Sequence, residues 1–128
     1  MSTVVYCGQQ TEQMSFAALL EARSGMLWAR RQAARELGEA TARAYDTDIA
    51  EVDGELRERS RRATERARAV LRPGDRICFT VCCEQRRHVV MTGWDGDWIA
   101  SATKNDIHAS SIYKVNGKPT SFLGDPVA

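Results

Sequence analysis

The first proline of the chain is Pro73, and that position divides it into two kinds of sequence. From about Met14 to Leu71 the residues are largely Ala, Leu, Arg and Glu, side chains that lose little freedom on a helix, so this run predicts helix. Pro73-Gly74-Asp75 ends it, because proline cannot continue the hydrogen-bond ladder and glycine permits the turn into a strand. Beyond that point the period changes to two. Ile77, Phe79 and Val81 alternate with Cys78, Thr80 and Cys82, the pattern of a strand with one face on a core. Val89, Val90, Met91 and Thr92 form a second β-rich run, and Trp98 to Ser101 a third. Asp95-Gly96 lies between these two, a pair that tolerates the positive φ angles of a tight hairpin. Asn116-Gly117 repeats the signal between Ile112–Val115 and Thr120–Phe122. Four or five short strands within about fifty residues hide their edges best by curling into a small barrel.

The helical run holds two apolar stripes. Phe16, Leu19, Leu20, Leu27, Ala34 and Leu37 form one; Ile49, Val52, Leu56, Ser60, Ala63, Ala67 and Val70 form a near-heptad seam that needs a partner. Ser24-Gly25, Gly38 and Tyr45-Asp46-Thr47-Asp48 are the break signals, with Asp46 or Thr47 as a helix cap. They predict a break near residue 46 and an antiparallel hairpin. A continuous helix pairing with a second copy is the alternative. Val4 to Cys7, closed by Gly8, reads as a short strand for the barrel edge. The expected fold is therefore α+β: a helical hairpin or coiled coil with a short N-terminal strand over 1–72, then a small five-stranded barrel over 73–128.

The strand rhythm of 73–123 resembles that of small SH3-like barrels. Two features carry the likeness: the opening Pro73-Gly74-Asp75 turn and a 3₁₀ turn expected around Ile107–Ser110, before the strand Ser111–Val115. The resemblance implies an SH3-like β-barrel and, since such barrels host many unrelated tasks, no particular function.

A chain of 128 residues, 43% hydrophobic and 27% charged, suits one folded domain or one small barrel with a helical attachment. It has no apolar run of membrane-spanning length and no leader-like N-terminus, which predicts a cytoplasmic protein with its cysteines reduced. The net charge of +1 conceals an uneven distribution. Residues 1–54 carry five Arg against eight acids, residues 55–72 seven Arg against three Glu, and residues 73–128 six bases against six acids. The basic block suits a phosphate backbone, and the acidic block before it is an equally good partner.

Cys78, Cys82, Cys83 and His88 have the donor chemistry of a zinc site without its spacing, and packing accounts for the cysteines. A cysteine nucleophile with His88 or His108 as base lacks an orienting third group. Asp95, Asp97 and Asp106 fit turns, where Asp satisfies local backbone groups. Neither Gly93-Trp94-Asp95-Gly96 nor the serines at 101, 110, 111 and 121 sit in a phosphate loop or a nucleophile elbow. These readings imply no catalytic residue, no metal and no cofactor. Trp94 and Trp98 bracket a turn and are accompanied by Arg86, Arg87, His88, Lys104, Lys114 and Lys118. With at least one indole packed in the core, that combination predicts a protein-binding surface built on Arg86, Arg87, Trp94, Trp98 and Lys114, because Trp and Arg dominate interface hot spots. The expected function is a small adaptor or inhibitor that binds a protein partner, perhaps one belonging to a nucleic-acid-handling machine, and self-associates through its helices. The alternative is nucleic-acid binding, with Arg57, Arg61, Arg62 and Arg68 joining Arg86 and Arg87 on phosphates and Trp94 stacking on a base. A zinc-dependent or cysteine-dependent enzyme is the third class.

Overall fold

The computed structural model describes residues 5–6, 9–81 and 85–124. In chain order the elements are β1 (Val5–Tyr6), β2 (Gln9–Gln10), α1 (Phe16–Glu36), α2 (Glu39–Ala42), α3 (Asp46–Val70), β3 (Arg76–Val81), β4 (Gln85–Asp95), β5 (Trp98–Ser101), β6 (Ile112–Val115) and β7 (Lys118–Pro119). The architecture is α+β, with two long helices and a five-stranded antiparallel sheet. Two compact units divide the chain, one ending at Glu58 and the other running Arg59–Gly124, so the boundary falls inside α3.

In the first unit Ser15 caps α1, its side chain accepting from the Ala18 amide at 3.1 Å. The break comes earlier than residue 46. Gly38 stands at φ 95°, which glycine reaches without steric cost, and the chain then passes through α2 and a 3₁₀ turn, Arg43–Tyr45, before α3 begins at Asp46. Arg23 Nε donates to Asp53 Oδ1 at 2.5 Å and Arg30 Nε to Asp46 Oδ1 at 2.6 Å. A step forward from Arg23 to Arg30 is thus a step back from Asp53 to Asp46, which makes these stretches of α1 and α3 antiparallel. Met14, Leu19, Ala22, Val52 and Leu56 form the core of this unit. Val52 and Leu56, two members of the seam, are therefore covered within the chain.

The short N-terminal strand takes a different partner from the one expected. Val5–Tyr6 pairs with Gln9–Gln10 in a ladder of its own and joins no edge of the large sheet. Val4, Cys7 and Gly8 lie outside the described residues.

In the second unit the strand order is β5-β4-β3-β6-β7. The sheet ends on β5 and β7 and does not close into a barrel, in contrast to the sequence expectation. Closure was inferred from the need to hide edges; here short strands and local contacts do that work. β7 is two residues long and ends on Pro119, which has no amide to offer. Ile107 exchanges both backbone hydrogen bonds with Ile99 and so covers part of β5. Both hairpin signals fall where turns form. Gly96 at φ 62° opens the two-residue loop between paired Asp95 and Trp98, and Asn116 and Gly117 at φ 52° and 81° give the double positive-φ pattern of a type I′ turn.

One sheet face holds the core: Ile77, Phe79, Met91, Ile99 and Ile112, joined by Ile107, Ala109 and Phe122. Ala63 and Ala67 of α3, with Leu71 just beyond it, complete the cluster. Both alanines are fully buried, so the small seam residues serve close approach of α3 to the sheet. Asp75 and Asn116 tie the edge of this layer together. Asp75 Oδ2 accepts from the Arg72 amide at 2.8 Å and Oδ1 from Asn116 Nδ2 at 3.0 Å, while Asn116 Oδ1 accepts from the Arg76 amide at 2.9 Å.

Candidate functional site

Register decides which side chains share a face. Ile77 and Phe79 point into the core, so Arg76, Cys78 and Thr80 point away from it. Their partners on β4 are Val90, His88 and Arg86, and Cys78 faces Lys114 on β6. The helix-free face therefore carries Arg76, Arg86, His88 and Lys114, all exposed, around half-buried Cys78 and exposed Val90. Among the described residues, no carboxylate stands on the β3, β4 and β6 positions of this face. A bulge between Cys78 and Phe79 turns Tyr113 beside Arg86, whose guanidinium lies 5.2 Å from the ring centroid. An open groove of about 460 Å³ runs past Arg76, Cys78, His88 and Val90.

The edge of β4 is the second feature. Its first half, Gln85–Val90, pairs with β3 alone, because β5 joins only from Met91 onward. Among the described residues the other side of that half-strand has no strand partner. Arg86 points to the helix-free face and Arg87, paired with Phe79, to the opposite one. Both are exposed, and with His88, Thr103 and Lys104 they line a groove of about 610 Å³ along this edge. Lys104 Nζ is bonded to Asp106 Oδ1 at 2.9 Å, which holds the Asp106 carboxyl below its ordinary range.

The indoles do not join this surface. Counting from Met91, strict alternation would send Trp94 outward beside the cations. A register shift between Met91 and Gly93 leaves Thr92 as the extra residue, and Trp94, paired with buried Ile99, turns to the core side. Arg68 of α3 lies over its ring at 4.4 Å and donates to the Gly96 carbonyl and, at 3.2 Å, to Asp97 Oδ1. Trp98 points the other way, is 39% exposed, and rests against His108 with ring centroids 4.0 Å apart. Burial pushes the His108 imidazole below its ordinary value, and the nearby Asp106 charge opposes that shift.

The five residues read from sequence as a partner surface thus separate: Arg86 and Lys114 share the helix-free face, Arg87 shares only the β4 edge with Arg86, and each indole lies elsewhere. Arg76 and Tyr113 were missed, although the alternation around Ile77 and Phe79 already placed Arg76 beside Cys78 and Thr80. Of the arginines proposed for phosphate contact, Arg57, Arg61, Arg62 and Arg68 are all exposed, but Arg61 is paired with Glu65 and Arg68 pins the β4–β5 turn. Cys82 and Cys83 lie outside the described residues, and among those described no cluster of His, Cys, Asp and Glu could hold a metal ion. No helix among the described residues is long and apolar enough to cross a membrane. No family model, curated protein or solved structure matches the chain.

Proposed function

We propose that this is a non-catalytic binding protein that receives an extended, acidic segment of a partner protein along the open edge of β4. The observation that carries this reading is the half-strand Gln85–Val90, paired on one side and bearing Arg86, Arg87 and His88 in succession. An unpaired strand edge offers backbone donors and acceptors to an added strand, while the flanking side chains choose among candidates. Two such edges from copies of this chain would bring arginines together, whereas an acidic segment would neutralise them. Charge across the unit agrees: residues 59–124 hold twelve Arg and Lys against six Asp and Glu, a balance of +6. Arg76 and Lys114 extend the attraction over the helix-free face. Exposed apolar Val90 gives that face the mixed character of a protein interface, and the absence of both indoles from it removes the stacking platform a single-stranded nucleic acid needs.

The strand order, the long β4 kinked at a bulge, and the 3₁₀ turn Ala109–Ser111 before β6 support reading residues 73–123 as an open variant of the SH3-like plan. Affinity capture from the native cell, with the parent protein and the Arg86→Glu/Arg87→Glu variant compared after nuclease treatment, tests the function. A captured acidic protein that the variant loses supports it. Capture abolished by nuclease would transfer the surface to nucleic acid, and capture indifferent to the variant would remove the edge from consideration.

A further inference from the structure

We propose that two copies of the chain pair through α1, antiparallel, across Leu20 and Trp28. Leu19, Ala22 and Ala33 mark the buried side of this helix. On the opposite side Ala17, Leu20, Ser24 and Trp28 succeed one another at steps of three and four, all exposed. Leu20 is 50% and Trp28 60% exposed, two of the larger apolar side chains left in solvent, and tryptophan is the residue most enriched where interfaces concentrate their binding energy. Ser24 and Gly25 between them are small and exposed, which lets a second helix approach closely. The seam first expected to pair copies is occupied within the chain by the cores around Val52, Leu56, Ala63 and Ala67, which leaves α1 as the helix with an apolar face uncovered.

Charge selects a second copy, and one direction, as the occupant. Exposed Glu21 and Arg31 flank the apolar step. A two-fold crossing near Ser24-Gly25 sets Leu20 of each copy opposite the partner's Trp28 and brings Glu21 within one turn of the partner's Arg31, twice by symmetry. A parallel, in-register pair would instead oppose Glu21 to Glu21 and Arg31 to Arg31. This proposal goes beyond the binding role of the β4 edge and does not depend on it, since none of these residues lies on the sheet.

Sedimentation equilibrium of the full chain over a wide concentration range is the test. The parent should show a reversible monomer–dimer equilibrium, and Trp28→Ala should weaken it about tenfold or more. Glu21→Arg and Arg31→Glu, each alone, should also weaken it through like charges, while an equimolar mixture of the two variants should associate more strongly than either. All of these positions are exposed, so thermal melts by circular dichroism should match the parent and keep misfolding separate from lost pairing. A parent that stays monomeric at every concentration, or a dimer indifferent to Trp28→Ala, overturns the proposal. A mixture no tighter than its components overturns the antiparallel register and with it the choice of occupant.

Discussion

Arg68 shows how one side chain can remove itself from a binding role. Its guanidinium covers the Trp94 ring and bonds the Gly96 carbonyl and Asp97, so it fastens α3 to the β4–β5 turn. The pair with Asp97 is exposed and adds little; the ring and carbonyl contacts carry the effect. Arg68→Ala should cost about 1–2 kcal/mol in urea denaturation and shift Trp94 emission, and Arg68→Lys should restore only part of the loss because it lacks the planar fork. Asp75 makes a pH-dependent counterpart. The Arg72 amide, then the Asn116 amide group, hold its carboxyl below the ordinary 3.8. A depressed carboxyl contributes fully above that value, and its contribution is lost as pH falls through the lower folded value. The parent's denaturation midpoint should therefore drop more steeply below about pH 4 than that of Asp75→Asn. His108 follows the same sign from a higher start: its stabilising neutral form is complete above 6.5 and lost as pH falls through its lower folded value, a slope that His108→Gln should abolish. Little of this was legible in the sequence. Arg68 and Trp94 are far apart along the chain, and the bulge at Thr92 that turns the indole inward has no marker in residues that otherwise alternate cleanly.

At the scale of elements, local chemistry carried more of the fold. The Asn116-Gly117 and Asp95-Gly96 turns, the stop at Pro73-Gly74 and the alternation of β3 were readable because each depends on a few neighbouring residues. Strand length was not: β4 reaches back through Gln85, Arg86 and Arg87, polar residues that become strand only because β3 pairs with them. The seam on α3 illustrates a different limit. A stripe of Val52, Leu56, Ala63 and Ala67 states that the helix needs cover, and both another chain and this one could supply it. The structure divides the stripe by residue size, with Val52 and Leu56 in the first core and the alanines under the sheet. Leu56→Ala should accordingly cost about 2–5 kcal/mol, with no change in association state, by denaturation and light scattering. Ala67→Leu should cost about 1–3 kcal/mol through overpacking, a sign opposite to that expected of a seam position filled in a coiled coil.

For the molecule as a whole, the near-zero net charge is the least informative number in the sequence, since the chain places most of its excess of cations in residues 59–124. Composition cut at sequence landmarks hid this, because the arginines of late α3 belong with the sheet and not with the helical unit. Several of them are bound to the sheet's own loops, Arg66 to the Phe122 and Leu123 carbonyls among them, so the cations left for a partner concentrate on β3, β4 and β6. The β4 edge is where that charge meets unpaired backbone. Amide hydrogen exchange of the protein with and without its captured acidic partner tests this account most directly. Slowed exchange centred on Gln85–Val90, lost in Arg86→Glu/Arg87→Glu, is the predicted result. Slowed exchange confined to α1 or to the surroundings of Trp98, with Gln85–Val90 unchanged, would contradict it.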